Sequence, residues 1–185
     1  MEQKSNDAVA KALAFANGLR KSIAFTGRRW TLWPGGANDL AAVIACIDGT
    51  QQRLQRAPSG DDGAAAVAAC IADLRAVLEW TTYQSASIAT ARALATARKT
   101  RAFAQRFGLL DDPAARLSIL TDSEESLIEN VRIKNAYMQD LAARHPHLAL
   151  PPPLVRLESL AAKVERKTGK LDLIQQLTKS TKKKR

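Results

Sequence analysis

Apolar residues recur at every third or fourth position through most of this chain, the spacing that places them on one face of an α-helix. Between Asn6 and Phe25 that pattern runs through Val9, Leu13, Ala16, Leu19 and Ile23, with Gly27 as its stop. Arg28-Arg29-Trp30-Thr31-Leu32-Trp33-Pro34-Gly35-Gly36 then reads as an irregular loop, since Pro-Gly-Gly favours turns. Leu40, Val43, Ile44, Ile47 and Leu54 predict a second helix, capped by Asn38 or Asp39 and closed by Pro58-Ser59-Gly60. From Gly63 to Phe107 there is neither proline nor internal glycine. One helix of up to about 45 residues, roughly 65 Å, fits there, with a break near Thr81 to Ser87 as the alternative. Its first half carries a heptad-like seam of Val67, Cys70, Leu74, Val77, Thr81, Gln84 and Ile88. The polar pair Thr81 and Gln84 weakens that seam, which favours an antiparallel bundle over a long free coiled coil.

Gly108 and Asp111-Asp112-Pro113 separate this segment from a short helical stretch. Thr121-Asp122-Ser123-Glu124 then matches a capping box, in which Thr and Glu satisfy each other's backbone amides, and predicts a helix start. Leu127, Ile128, Val131, Met138 and Leu141 form its apolar stripe up to Arg144. His145-Pro146-His147 and Pro151-Pro152-Pro153 bound a stiff, extended linker. Helical spacing resumes with Leu157, Leu160, Ala161 and Val164, Gly169 fits a stop, and Leu171, Ile174 and Leu177 form a last amphipathic turn. The chain ends in Lys-Ser-Thr-Lys-Lys-Lys-Arg, too charged to pack. The fold class expected is all-α: an antiparallel bundle of about five or six helices with a disordered basic C-terminal tail. Residues 1–144 form the bundle, 145–153 a His/Pro linker, 154–178 a helical appendage and 179–185 the tail.

Composition adds a size and a sign to this picture. The 185 residues, 46% of them hydrophobic, suffice for one core, although aromatics make up only 5% and alanine much of the rest. Small side chains pack closely but gain little each, at roughly 25 cal/mol per Å² of apolar surface buried. Cys46 and Cys70 both sit in Ala-Cys-Ile contexts, the setting of free, buried thiols. Met1 to Ala10 is polar and no segment approaches the roughly 20 apolar residues of a membrane span, so a cytoplasmic protein without a transmembrane segment is expected.

The net charge of +10 and a pI near 10.0 point to anionic partners. Between Glu79 and Asp111 the sequence has Arg92, Arg98, Lys99, Arg101 and Arg106 and no acid. Arg92, Lys99 and Arg106 stand seven apart, on one helix face that can follow a phosphate backbone. Phe103 and Phe107 nearby are spaced like core residues. Lys163 to Arg185 holds nine basic residues against Glu165 and Asp172, and supplies Lys163, Lys167, Lys170, Lys182, Lys183, Lys184 and Arg185 as further phosphate contacts. Arg28 and Arg29, with Trp30 and Trp33, offer a stacking surface, against the plainer reading that the indoles plug one end of the bundle.

Catalytic patterns are thin. His145 and His147 are the two histidines, both in the linker, with no nucleophile and third group placed around them by sequence. A structural zinc site wants four ligands, and the cysteines lie far away in sequence, so no metal or cofactor is expected. Asp61-Asp62, Asp111-Asp112 and Glu124-Glu125 stand at turns or helix starts, where acids complement the helix dipole. Trp33-Pro34-Gly35-Gly36 lacks the lysine and the preceding strand of a P-loop. The expectation is a non-enzymatic helical protein that binds the nucleic-acid phosphate backbone with little sequence specificity. The alternative is a protein–protein interaction module, an adaptor or assembly subunit, whose charge is incidental or meets an acidic protein surface; a homo-oligomer is compatible with either.

Overall fold

A computed structural model describes the backbone of residues 2–58, 61–106, 113–158 and 160, and the side chains within that range except those of 2–6, 101, 104, 105 and 113–123. Among the described residues the chain is helical, with four α-helices: α1 (Glu2–Thr26), α2 (Gly36–Gln55), α3 (Asp61–Arg106) and α4 (Pro113–Arg144). Short 3-10 turns occupy Gly27–Leu32 and Pro146–Leu148. No helix among the described residues is long and apolar enough to cross a membrane. The chain divides into two compact units, one of residues 1–90 and 133–154, the other of residues 91–132 and 155–185.

In the first unit, α1 buries Ala12, Ala16, Leu19 and Ile23, and α2 buries Val43, Ile47, Thr50 and Leu54, each at four-three-four spacing. Arg20 Nε to Asp48 Oδ1 at 2.7 Å and Gln51 Nε2 to Asn17 Oδ1 at 2.8 Å set the two helices antiparallel. The corner between them is more regular than the irregular loop its sequence suggests. Arg28 to Leu32 continue directly from α1 as a 3-10 turn, and Trp33 N–H donates to Trp30 O at 2.8 Å. The residue before α2 is Gly35, at φ 84°, and not Asn38 or Asp39, which fall in the helix's first turn. Only glycine adopts this left-handed conformation without strain. The next residue is constrained by space, because a Cβ on Gly36 would run into the Trp30 carbonyl.

α3 runs its 46 residues without a break at Thr81 to Ser87. All seven seam residues from Val67 to Ile88 are buried, the polar pair included. Thr81 satisfies its hydroxyl on Leu78 O (2.9 Å), Gln84 Oε1 accepts from Leu154 N–H (3.4 Å), and buried Ser87 meets Asn135 Oδ1 (3.1 Å). A local backbone carbonyl, the Leu154 amide and Asn135 of α4 thus meet part of this polar stretch, while Gln84 Nε2 is buried without a hydrogen bond among the described residues. Against α3 in this unit, α4 contributes Met138 and Leu141, both buried, and Tyr137, whose hydroxyl donates to Glu79 at 2.7 Å.

α4 begins at Pro113, a residue suited to a first helical turn because it has no N–H to leave unbonded. The helix start expected at Thr121 is therefore absent: Thr121 to Glu124 lie inside α4, and Glu124 is turned into the second unit. There it meets Arg98, Nε to Oε2 at 3.1 Å, with 11% and 6% of the two side chains exposed. Arg98 Nη2 also donates to Leu160 O at 3.2 Å, and Leu94, Val131, Val155 and Leu160 supply apolar burial.

The stretch read as a stiff linker is docked in the first unit. Its 3-10 turn buries Leu148, and Ala149 closes it at φ 47°, ψ 42°. A side chain in this left-handed well is strained by about 1–2 kcal/mol, part of which glycine returns as backbone entropy in the unfolded chain. Ala149→Gly is expected to raise the melting temperature by roughly 1–2 °C and Ala149→Val to lower it, as read by thermal circular dichroism.

Candidate functional site

Two arrangements on the described residues have chemical content: a basic face on the C-terminal part of α3, and a polar cluster where α2, α3 and the 3-10 turn after α4 meet. The face follows from helical geometry. Seven residues advance about 10.5 Å and nearly two full turns, so Arg92, Lys99 and Arg106 stay in one row. All three are exposed, on a stretch from Trp80 to Arg106 that contains no acidic residue. Arg98, one residue from Lys99, serves instead as the partner of Glu124. Phe103 is 57% exposed beside this row, so its core-like spacing does not bury it and an aromatic ring stands next to the cations. Lys163, Lys167, Lys170, Lys182, Lys183, Lys184 and Arg185 lie outside the described residues, as does Phe107.

At the corner after α1, Arg28 and Arg29 are both exposed, and Arg28 Cζ lies 5.9 Å from the Phe25 ring centre. Of the two readings of this segment, the stacking surface loses its main ring and the plainer one, packing of the indole, fits Trp30. Trp30 is 1% exposed and packs edge-on against Trp80, centroids 5.8 Å apart at 74°, while Trp33 is half-buried. The indole of Trp30 is therefore a core side chain and unavailable to bases.

The polar cluster is centred on Asp73, which shares the buried face of α3 with Cys70, Leu74 and Val77 and is 4% exposed. Arg53 of α2 donates from Nη2 to Asp73 Oδ2 at 2.7 Å and to Thr50 Oγ1 at 2.9 Å. On the other carboxylate oxygen, Oδ1, His147 Nε2 lies at 2.8 Å and His145 Nδ1 at 3.4 Å. Burial by itself would raise the Asp73 carboxyl, but the hydrogen bonds from Arg53 and His147 outweigh it and hold the group below the usual carboxylate range. The turn carrying the imidazoles is tied down by Cys46, whose Sγ–H donates to Leu148 O, and by His145 N–H to Leu141 O at 3.1 Å.

Both cysteines are free, Cys70 buried and Cys46 half-buried, and burial pushes both thiols up. Cys46 directs its thiol at the Leu148 carbonyl, and it is not among the groups that converge on Asp73. An open pocket of about 450 Å³ beside the cluster is lined in part by Cys46, Thr50, Arg53 and His147. Sequence reading placed the histidines in a linker and missed this convergence. The available signal was Asp73 itself, a carboxylate on the apolar seam, which must find cationic or hydrogen-bonding partners when buried. No protein-family model, curated protein or solved structure matches this chain.

Proposed function

We propose that this protein binds nucleic acid through the phosphate backbone, with little sequence discrimination and without catalysing a reaction. The observation that carries the reading is the exposed row of Arg92, Lys99 and Arg106 on an acid-free stretch of α3, in a chain of net charge +10. Such a row places cations about 10.5 Å apart along a rigid rod, and contacts of this kind fix position on a duplex without reading bases. Phe103 adds a ring on which an unpaired base can stack. Arg28 and Arg29, and the lysine-rich C-terminal sequence, extend the same chemistry.

Replacing Arg92, Lys99 and Arg106 together by alanine tests the face directly, because all three side chains are exposed and alanine suits a helix. The slope of log affinity against log salt for duplex DNA is expected to fall by about 2.7, since each phosphate contact contributes about 0.9, and affinity should drop more than about tenfold. An unchanged slope in the triple variant would remove the α3 face from the interface.

A protein-docking role has one observation in its favour. Phe15, Phe25 and Leu32 are 39%, 71% and 75% exposed, and Phe15 lines a mostly apolar pocket of about 360 Å³ with Ala12 and Ile71, rimmed by Lys11 and Arg75. That combination suits an acidic, amphipathic partner. A complex built on it survives nuclease treatment, whereas one bridged by nucleic acid is lost.

A further inference from the structure

We propose that Asp73, His145 and His147 form a binding site for a divalent transition-metal ion of the zinc class. Two imidazole nitrogens and one carboxylate oxygen converge, all within 4.8 Å of one another. In a tetrahedral zinc site with bonds of about 2.0–2.1 Å, neighbouring donor atoms stand about 3.3 Å apart. His145 Nδ1 is already at that separation from Asp73 Oδ1, at 3.4 Å, and His147 Nε2, at 2.8 Å, needs to withdraw by only about half an ångström.

Charge balance alone does not explain the convergence. Arg53 already neutralises Asp73 and occupies Oδ2, yet both histidines of the chain are directed at the remaining oxygen. The carboxylate needs no second imidazole for its hydrogen bonding; a metal ion does use two. Arg53 acts as the outer-shell partner that fixes the carboxylate's orientation and leaves Oδ1 to coordinate.

The backbone holds the donors in place before any ion arrives. His145 and His147 flank Pro146 on a single 3-10 turn, anchored at Leu141 O and, through Leu148 O, at Cys46. His145 is 22% exposed and His147 51%, so the ligand set is reachable from solvent. Two nitrogens and one oxygen suit zinc, cobalt, nickel or copper; calcium and magnesium prefer six or more oxygens. Three protein ligands leave a fourth position for water, and His147 also lines the 450 Å³ pocket. Cys46 is not among the converging groups, so thiolate coordination is not part of the site.

The test is titration of the full chain with zinc chloride by calorimetry, and with cobalt chloride by visible absorption, in the absence of nucleic acid so that the outcome is separate from phosphate binding. One ion per chain is expected, with a tetrahedral cobalt d–d spectrum and no sulfur-to-metal charge-transfer band. His147→Ala and His145→Ala should each weaken zinc binding at least about a hundredfold, more than the roughly 10–100-fold typical of losing an outer-shell partner. His147 is half-exposed, so its variant keeps the fold, which circular dichroism checks. No bound ion, affinity unchanged in both histidine variants, or a thiolate charge-transfer band would overturn the assignment.

Discussion

Trp30→Ala is expected to lower the free energy of unfolding by about 3–5 kcal/mol, the usual loss when a fully buried aromatic is cut back to a methyl group and its site cannot collapse. Trp30 is 1% exposed and its neighbour Trp80 is 0% exposed. The rings meet edge to face, an arrangement worth about 0.5–1.5 kcal/mol beyond area burial. Trp30 Nε1 also donates to Ser85 Oγ at 3.3 Å, tying the 3-10 corner to α3. A Trp30→Ala, Trp80→Ala cycle in urea should return a coupling in that 0.5–1.5 kcal/mol range. Half-buried Trp33, cut to alanine, should cost clearly less than Trp30. A Trp30→Ala loss below about 1 kcal/mol would mean that the corner is not packed as described.

Arg98→Met is expected to cost about 3–5 kcal/mol, because it removes the guanidinium paired with a Glu124 carboxylate of which 6% of the side chain reaches solvent. The pair itself need not stabilise the fold: desolvation of two ions offsets much of their attraction. Accordingly the double variant Arg98→Met, Glu124→Leu should recover most of the loss. Hydrogen exchange localises the effect, with faster amide exchange in residues 91–106 and 113–132 for the single variant and near-parental protection for the double. Equal losses in single and double variants would show that Arg98 matters chiefly through its bond to Leu160 O rather than through Glu124.

These two sites differ in how far they could be read from sequence. The helices were legible because their buried faces repeat in register: Val43, Ile47 and Leu54 in α2, and the whole seam from Val67 to Ile88 in α3, follow the three–four spacing that the pattern announces. Failures came where local chemistry had two uses. Thr121 to Glu124 spells a capping box, but α4 already runs through these residues from Pro113, so no helix start falls there and the glutamate serves instead as partner to Arg98. Phe103 carries core spacing yet stands 57% exposed. The histidines look like punctuation between prolines. Their meaning depends on Asp73, 72 and 74 positions earlier, and no local rule links residues that far apart.

The basic row shows the opposite case. Its alignment follows from a seven-residue interval and needs only that α3 continue unbroken to Arg106, which it does. Of the five cations in that stretch, sequence could not say that Arg98 is directed inward while Arg92, Lys99 and Arg106 remain at the surface.

The most direct test of the nucleic-acid reading is fluorescence anisotropy of a labelled duplex titrated with the full chain at about 50 and 200 mM salt. Three phosphate contacts from α3 alone predict a weakening of about 40-fold or more across that interval. Binding that is constant between the two salts, or no binding at the lower one, would contradict the account and leave the positive charge to another partner.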